Sequence, residues 1–271
     1  FVVMYALSTV NEGKYRILSD SMTHAFRNEP SNSATQMPVV LTPPLVMAKK
    51  PNQAARQQEV QKEKQRDKMR KLLDELKFPC YSTHNGRDAF TPERFPQIIE
   101  MNKQLGSKLI VMASAGKVVG IDGWKKVAEE LTRASEVAKA AGVKVGYHNH
   151  AAEWKPIDGK KPIEVVAENT PKDVCLQLDV GTCVEAGDDP VAWINGHPGR
   201  FRSIHCKEFS SKPDVRYKVL FGEGDSPWKQ IFAAAEKKGG VEFYLIEQEG
   251  HALPPFEAVD KCLVNYKKIH G

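Results

Sequence analysis

The chain has 271 residues, 41% of them hydrophobic and 27% charged, the composition of an ordinary globular protein with room for one large α/β core or two small ones. No apolar run approaches the roughly 20 residues that a membrane-spanning helix needs, so no membrane partner is expected. The net charge of +5 comes from one place, residues 49–77, where ten Lys/Arg face five Asp/Glu. A charge-dense helix without interleaved aromatic residues reads as a solvated face, so no nucleic-acid partner is expected either.

The opening stretch "FVVMYAL" has neither the basic flank nor the cleavage pattern of a signal peptide. The cytoplasm is therefore the expected compartment. The lack of an initiator Met leaves processing, and with it the periplasm, open. Cys80, Cys175, Cys183, Cys206 and Cys262 are widely spaced and form no CxxC pair. They read as buried free thiols, not as a disulfide framework or structural zinc site.

The first third is the least regular. "FVVMYAL" and "MPVVLT" supply candidate strands, and residues near 14–27 and 53–76 candidate helices, but "RNEPSNSATQ" and "TPPLVMAKKPNQ" are loop-like. From residue 78 a regular alternation begins. The strand-like runs are "FPCYST", "KLIVMA", "VKVGYH", "VCLQLD", "FRSIHC" and "EFYLIE". Among the helices between them, Trp124, Val127, Leu131, Ala134, Val137, Ala138 and Ala141 recur at the 3.6-residue period. Phe95, Ile98, Ile99 and Leu105 follow "TPE", a helix start with Pro in the first turn. Gly106, Gly142 and Gly239 mark helix exits.

Six βα units in succession imply a parallel sheet with helices outside. No GxGxxG or GxxxxGK[ST] occurs, and "FGEGDSPW" does not sit between a strand and a helix as a phosphate loop would. The expected fold is therefore α/β: a (β/α)8 TIM barrel with outer helices and an irregular N-terminal third. It is expected to form one domain over residues 1–271, of which 1–77 are the irregular part.

Chemistry gathers where these strands end. The first of the six runs delivers His84 and Asn85, the third His148 and His150, and the fourth Asp179. The fifth delivers His205, Lys207 and Glu208, and the sixth Glu247 and Glu249. In a parallel barrel these ends meet at one mouth, where active sites are built. Imidazole mixed with carboxylate, without thiolate, suits one divalent metal ion in an open catalytic site; Mn, Co, Mg, Fe and Zn are all compatible.

"GYHNHAAEW", "LQLDVGTCVEAGDDPVAWI", "RFRSIHCKEF", "GEGDSPW" and "YLIEQEG" together resemble the xylose isomerase-like TIM barrels, the sugar phosphate isomerase/epimerase superfamily. The resemblance runs from about residue 68 to 270. It implies one divalent metal held by His148, Asp179, His205 and Glu247. Two departures stand out. Many family epimerases carry Glu where this chain has His148, and many carry His where "DVGT" has Thr182. With one of two opposed carboxylate bases gone, one-sided proton abstraction remains.

The chemistry that the resemblance implies is removal of a proton beside a carbonyl through a metal-stabilised enediolate. Glu247 is expected to be both ligand and base, and Lys207 to steady negative charge on the substrate oxygen. His150 is either the general acid or the orienting partner of His148. His84, Glu153, Trp154 and Glu208 are expected to bind substrate, although Trp154 reads equally as core packing. The expected partner is a small sugar or polyol, and a homo-oligomer is compatible with the sequence. The leading reading is an isomerase or epimerase. A lyase or dehydratase acting on a keto-sugar or inosose is the alternative, ahead of a DNA-repair endonuclease of the same fold. An inactive binding barrel is the non-enzymatic reading.

Overall fold

The structure, a computed structural model, describes residues 2–4, 53–250 and 252–271. It divides into two compact units, Phe1–Val10 with Phe78–Gly271, and Asn11–Lys77. In the second unit the described element is helix α1, Gln53–Leu76, where the sequence predicts a helix. The strand expected at "MPVVLT" and the helix expected near 14–27 lie outside the described residues.

The larger unit is a single sheet in sequential order. Strand β1 (Val2–Met4) is followed by β2 (Ser82–Gly86), β3 (Leu109–Ser114), β4 (Lys144–His148), β5 (Cys175–Asp179), β6 (Ser203–Lys207) and β7 (Phe243–Glu247). Among the described residues, β2 to β7 are the parallel strands, six where a full barrel has eight. "FVVMYAL" does give a strand, but β1 pairs antiparallel with β2 instead of adding a parallel unit.

The sheet is curled. Strands spaced ~4.8 Å apart would put β2 about 19 Å from β6 in a flat sheet, yet the His84 and His205 rings stack at 5.1 Å. Tyr81, just before β2, likewise stacks on Phe243 of β7 at 4.8 Å.

Outside the sheet run α2 (Phe95–Leu105), α3 (Gly120–Ala140), α4 (Pro162–Glu168), α5 (Val180–Glu185), α6 (Pro190–Gly196), α7 (Trp228–Ala234) and α8 (Pro255–His270). The predicted apolar stripe of α3 is buried except at Val137, which is 47% exposed, and at Ala141, which is partly buried just past the helix end; Ala128 and Ser135 are buried on that face instead. Helix α2 starts at Phe95, after a turn in which the Thr91 carbonyl accepts from the Phe95 N–H at 2.9 Å. Gly106 and Gly142 take the left-handed conformation expected of helix exits. At the third exit a π turn over Ala235–Gly239 carries the helix further, and Gly240, not Gly239, turns left-handed.

Period-two alternation sorts strands β3 to β6. Ile110, Met112, Val145, Tyr147, Leu176, Leu178, Ile204 and Cys206 point outward into the main core against the helices. Leu109, Val111 and Cys175, with Phe243 against them, plug the interior at the end where the strands begin. Gly146 fits that plug because a Cβ there would lie 3.1 Å from both the Cβ and the carbonyl oxygen of Cys175. All five cysteines are free and buried. No helix among the described residues is long and apolar enough to cross a membrane.

Arg200 ties the outer layer down. Its buried guanidinium donates to the carbonyls of Ala167, Pro171 and Val174 and to Thr170 Oγ1, at 2.7–3.2 Å. Ala167 lies in the last turn of α4, where unpaired carbonyls favour a cation. Arg200→Leu removes the donor and strands buried acceptors. The expected loss is about 3 kcal/mol, read as a lower urea midpoint with unchanged m-value.

Candidate metal centre

Continuing the inward alternation past the apolar plug gives a polar layer. Ser82 and His84 come from β2, His148 from β4, Gln177 and Asp179 from β5, Ser203, His205 and Lys207 from β6, and Glu247 from β7. The N-terminal ends of the strands are greasy and the C-terminal ends carry the chemistry.

Asp179 is 1% exposed and caps α5: its Oδ1 accepts from the Thr182 N–H at 2.9 Å. Its Oδ2 faces His148 Nε2 at 3.7 Å and Lys207 Nζ at 3.9 Å. Asn149 clamps the same turn. Its Oδ1 accepts from the Asp179 N–H, and its Nδ2 donates to the Asp179 carbonyl and to Thr182 Oγ1. Burial raises the Asp179 carboxyl to about 6, with Lys207 pulling the other way.

His205 donates from Nδ1 to Glu247 Oε2 at 2.7 Å. Burial alone would raise Glu247, but the hydrogen bond and charge of His205, then Lys207, outweigh it and hold the carboxyl at about 2. Lys207 Nζ sits 2.6 Å from Glu249 Oε1 and 3.4 Å from Glu247 Oε1, and 4.6 Å above the ring of Tyr217. Burial disfavours its charge, yet Asp179, Glu249 and Glu247 together raise its pKa.

His84 donates from Nε2 to Gln177 Oε1 at 2.5 Å, and Gln177 in turn donates to Ser203 Oγ at 2.6 Å. Burial, then His205, lowers His84 to about 4. Burial, then His205 and His84, pushes His148 well below the usual imidazole value. The three rings cluster, with His148 4.5 Å from His205 and 4.8 Å from His84.

Two sets of side chains can each bring ligand atoms within 4.8 Å of one another: Asp179, His205 and Glu247, and His84, His148 and His205. The donor chemistry fits a divalent cation. Among the described residues, His148 Nδ1 and His205 Nε2 are buried without a partner, and three carboxylates, of which Asp179 is the buried one, face the Lys207 ammonium. Buried anionic charge and orphaned ring nitrogens are both costly unless a cation satisfies them.

The remaining expected residues fall at or outside the edge of this centre. His150 is half-exposed at the mouth, its ring edge-on to His148 at 5.0 Å. Glu153 is buried and occupied: the Tyr147 hydroxyl donates to it at 2.6 Å and the His150 N–H at 3.1 Å. Trp154, expected to contact substrate, is 3% exposed in the main core and edge-on to Trp193; it lines a separate cleft with Lys161, Asp188 and His197.

Glu208 also departs from its expected substrate contact. Alternation turns it away from Lys207, and its oxygens accept from the N–H groups of Phe209, Gly222 and Ser226 and from Trp228 Nε1. It anchors a loop instead. Gln177 and Tyr217 are the residues that sequence reading passes over. Gln177 was legible as the residue two before Asp179 on one strand face; nothing local marks Tyr217.

A parallel barrel whose C-terminal mouth gathers histidines, carboxylates and a lysine defines a candidate metal-assisted enzyme. A family model described as xylose isomerase-like TIM barrel matches residues 46–263, and the chain belongs to that family. An inosose dehydratase from Geobacillus thermodenitrificans (strain NG80-2) is 24% identical over 192 aligned positions, covering 59% of this chain and 63% of that protein. The chain thus spans less than two thirds of this relative's length. A sugar phosphate isomerase/epimerase structure from Parabacteroides distasonis ATCC 8503 superposes with a TM-score of 0.62 at 29% identity, covering 74% of each chain. The IolI protein, solved with a zinc atom, shares the fold with a TM-score of 0.58 at 18% identity, over 80% of this chain and 86% of that one.

Glu208→Gln replaces an acceptor oxygen with an amide donor facing N–H groups. It is expected to cost on the order of 3 kcal/mol. Limited proteolysis within residues 209–227 should speed up before the global thermal transition is reached.

Proposed function

We propose that this chain is a divalent-metal-dependent enzyme that removes the proton beside a carbonyl of a sugar or polyol, and that the outcome is loss of water from a keto-polyol. The observation that carries this reading is the asymmetry of the centre. Glu247 is a partly open carboxylate on one side, and a histidine, His148, stands where a second carboxylate base would be needed for inversion. The inosose dehydratase relatives support elimination. The zinc in the IolI protein supports a metal.

His148, Asp179, His205 and Glu247 would hold the metal, which would supply Lewis-acid polarisation of the substrate oxygen. Glu247, kept ionised by His205 and Lys207, takes the proton from the carbon next to the carbonyl. Lys207 stays charged and donates a hydrogen bond to the carbonyl oxygen as negative charge develops there. The electron pair of the broken C–H bond forms a C=C bond and expels the hydroxyl on the neighbouring carbon. His150, at the mouth, gives the proton that turns the departing hydroxide into water. A cleft of about 340 Å³ lined by Ser114, Lys117, Trp124, His150 and Glu153 opens beside it, room enough for a small polyol.

Isomerisation between adjacent carbons is the second reading, favoured by the likeness to the Parabacteroides distasonis sugar phosphate isomerase/epimerase. It needs the same proton removal without the leaving group.

Two measurements test the proposal. His148→Ala and Asp179→Ala are each expected to lose most of the bound metal by elemental analysis; full occupancy in both would refute the ligand set. Incubation with Mn(II) or Co(II) and an inosose in D2O should release water from the substrate, followed by NMR and mass spectrometry. Glu247→Gln should slow it by at least ~10²-fold. Inversion of a single carbon that rises in His148→Glu would overturn the one-base mechanism.

A further inference from the structure

His84 has no task in the four-residue ligand set, yet it is carried into the barrel interior on a polar strand. Its ring lies nearly parallel to His205, with 4° between the planes at 5.1 Å, and within ligand reach of both His148 and His205. Two buried ring nitrogens of this trio, His148 Nδ1 and His205 Nε2, have no hydrogen-bond partner among the described residues. A neutral imidazole holds one proton donor and one lone pair, and the fixed hydrogen bond decides which nitrogen is which. Gln177 decides it for His84. Its amide nitrogen is committed to Ser203 Oγ, so its oxygen accepts the His84 Nε2–H and leaves Nδ1 as the lone-pair atom. A ligating histidine typically has this arrangement, one nitrogen toward the metal and the other donating to a protein acceptor.

We propose that His84 is a metal ligand, not a substrate contact, so that His84, His148 and His205 present a three-imidazole face to the cation. The proposal rests on the metal-dependent reading above and adds a selectivity to it. Imidazole nitrogens suit Zn(II), Co(II), Ni(II) and Fe(II), whereas Mg(II) demands oxygen ligands and gives up its waters reluctantly. The centre is therefore built for the first group, and His84 is the residue that tilts it.

The test uses the metal-stripped protein titrated with ZnCl2, CoCl2 or MgCl2, followed by calorimetry and, for cobalt, by visible absorption. His84→Ala is expected to weaken zinc and cobalt binding by ~10–100-fold, to alter the cobalt d–d bands, and to leave magnesium binding unchanged. Zinc and cobalt affinities and a cobalt spectrum identical to the wild type would overturn the proposal. His205→Ala separates the two levels. If it abolishes binding while His84→Ala does not, the metal centre stands and the role of His84 falls; if neither changes binding, both fall. Should His84→Ala fail to fold, Gln177→Leu keeps the ring but removes its acceptor. A smaller zinc loss, of roughly 10-fold, is expected there, and an unchanged affinity would again overturn the proposal.

Discussion

A carboxylate that is 1% exposed governs the mouth of this barrel. Asp179 cannot be hidden as an anion without compensation, and the surrounding chain is arranged to supply it. The first turn of α5 gives one N–H to its Oδ1, and Asn149 holds the backbone on both sides. Gly181 then lies so close to Lys207 that a Cβ there would come within 3.0 Å of its Cγ and its carbonyl oxygen. The aspartate cap therefore seats the helix, the helix seats the lysine stem, and the ammonium faces three carboxylates. One ammonium does not neutralise three anions, and the shortfall is what makes the pocket attractive to a divalent cation.

The two departures from the family pattern act on the same balance. His148 contributes a neutral donor where a carboxylate would add another buried charge, which lightens the electrostatic load on Lys207. Thr182, which the family resemblance marks as a departure, presents its hydroxyl to Asn149 and becomes part of the clamp. Neither His148 nor Thr182 supplies a carboxylate base, and the one-base proposal rests on that asymmetry.

Strands such as β5 and β6 are legible because their outward faces are apolar at period two, as in Leu176 and Leu178 or Ile204 and Cys206. Strand β2 starts four residues after the strand-like run "FPCYST" does, because Ser82–Gly86 has no apolar face to read. His84 points into the polar layer, while Thr83 pairs with Asn102 at 2.8 Å and Asn85 turns back onto Thr83. Hydrophobic periodicity is silent when both faces of a strand are hydrogen-bonded. Alternation also carried information that proximity obscured. Glu208 is adjacent to Lys207 and invites the same assignment, but neighbouring strand residues point to opposite faces. Antiparallel β1 was beyond reach, since a short apolar run carries no sign of strand direction.

The glycines of "FGEGDSPW" show how a motif can be real and its usual meaning wrong. They cradle an anion, but the anion is the chain's own Glu208: Gly222 donates its N–H to that carboxylate, and a Cβ on Gly224 would fall 2.3 Å from the Phe209 carbonyl. The loop closes on this anchor between residues 208 and 228. From it extends Tyr217, whose hydroxyl donates to Glu185 at 2.5 Å while its ring lies over Lys207. An outward-facing carboxylate thus sets the position of an aromatic wall above the inward-facing lysine beside it. The two faces of strand β6 are coupled through the loop that follows it, so a carboxylate buried on the outer face still shapes the surroundings of Lys207.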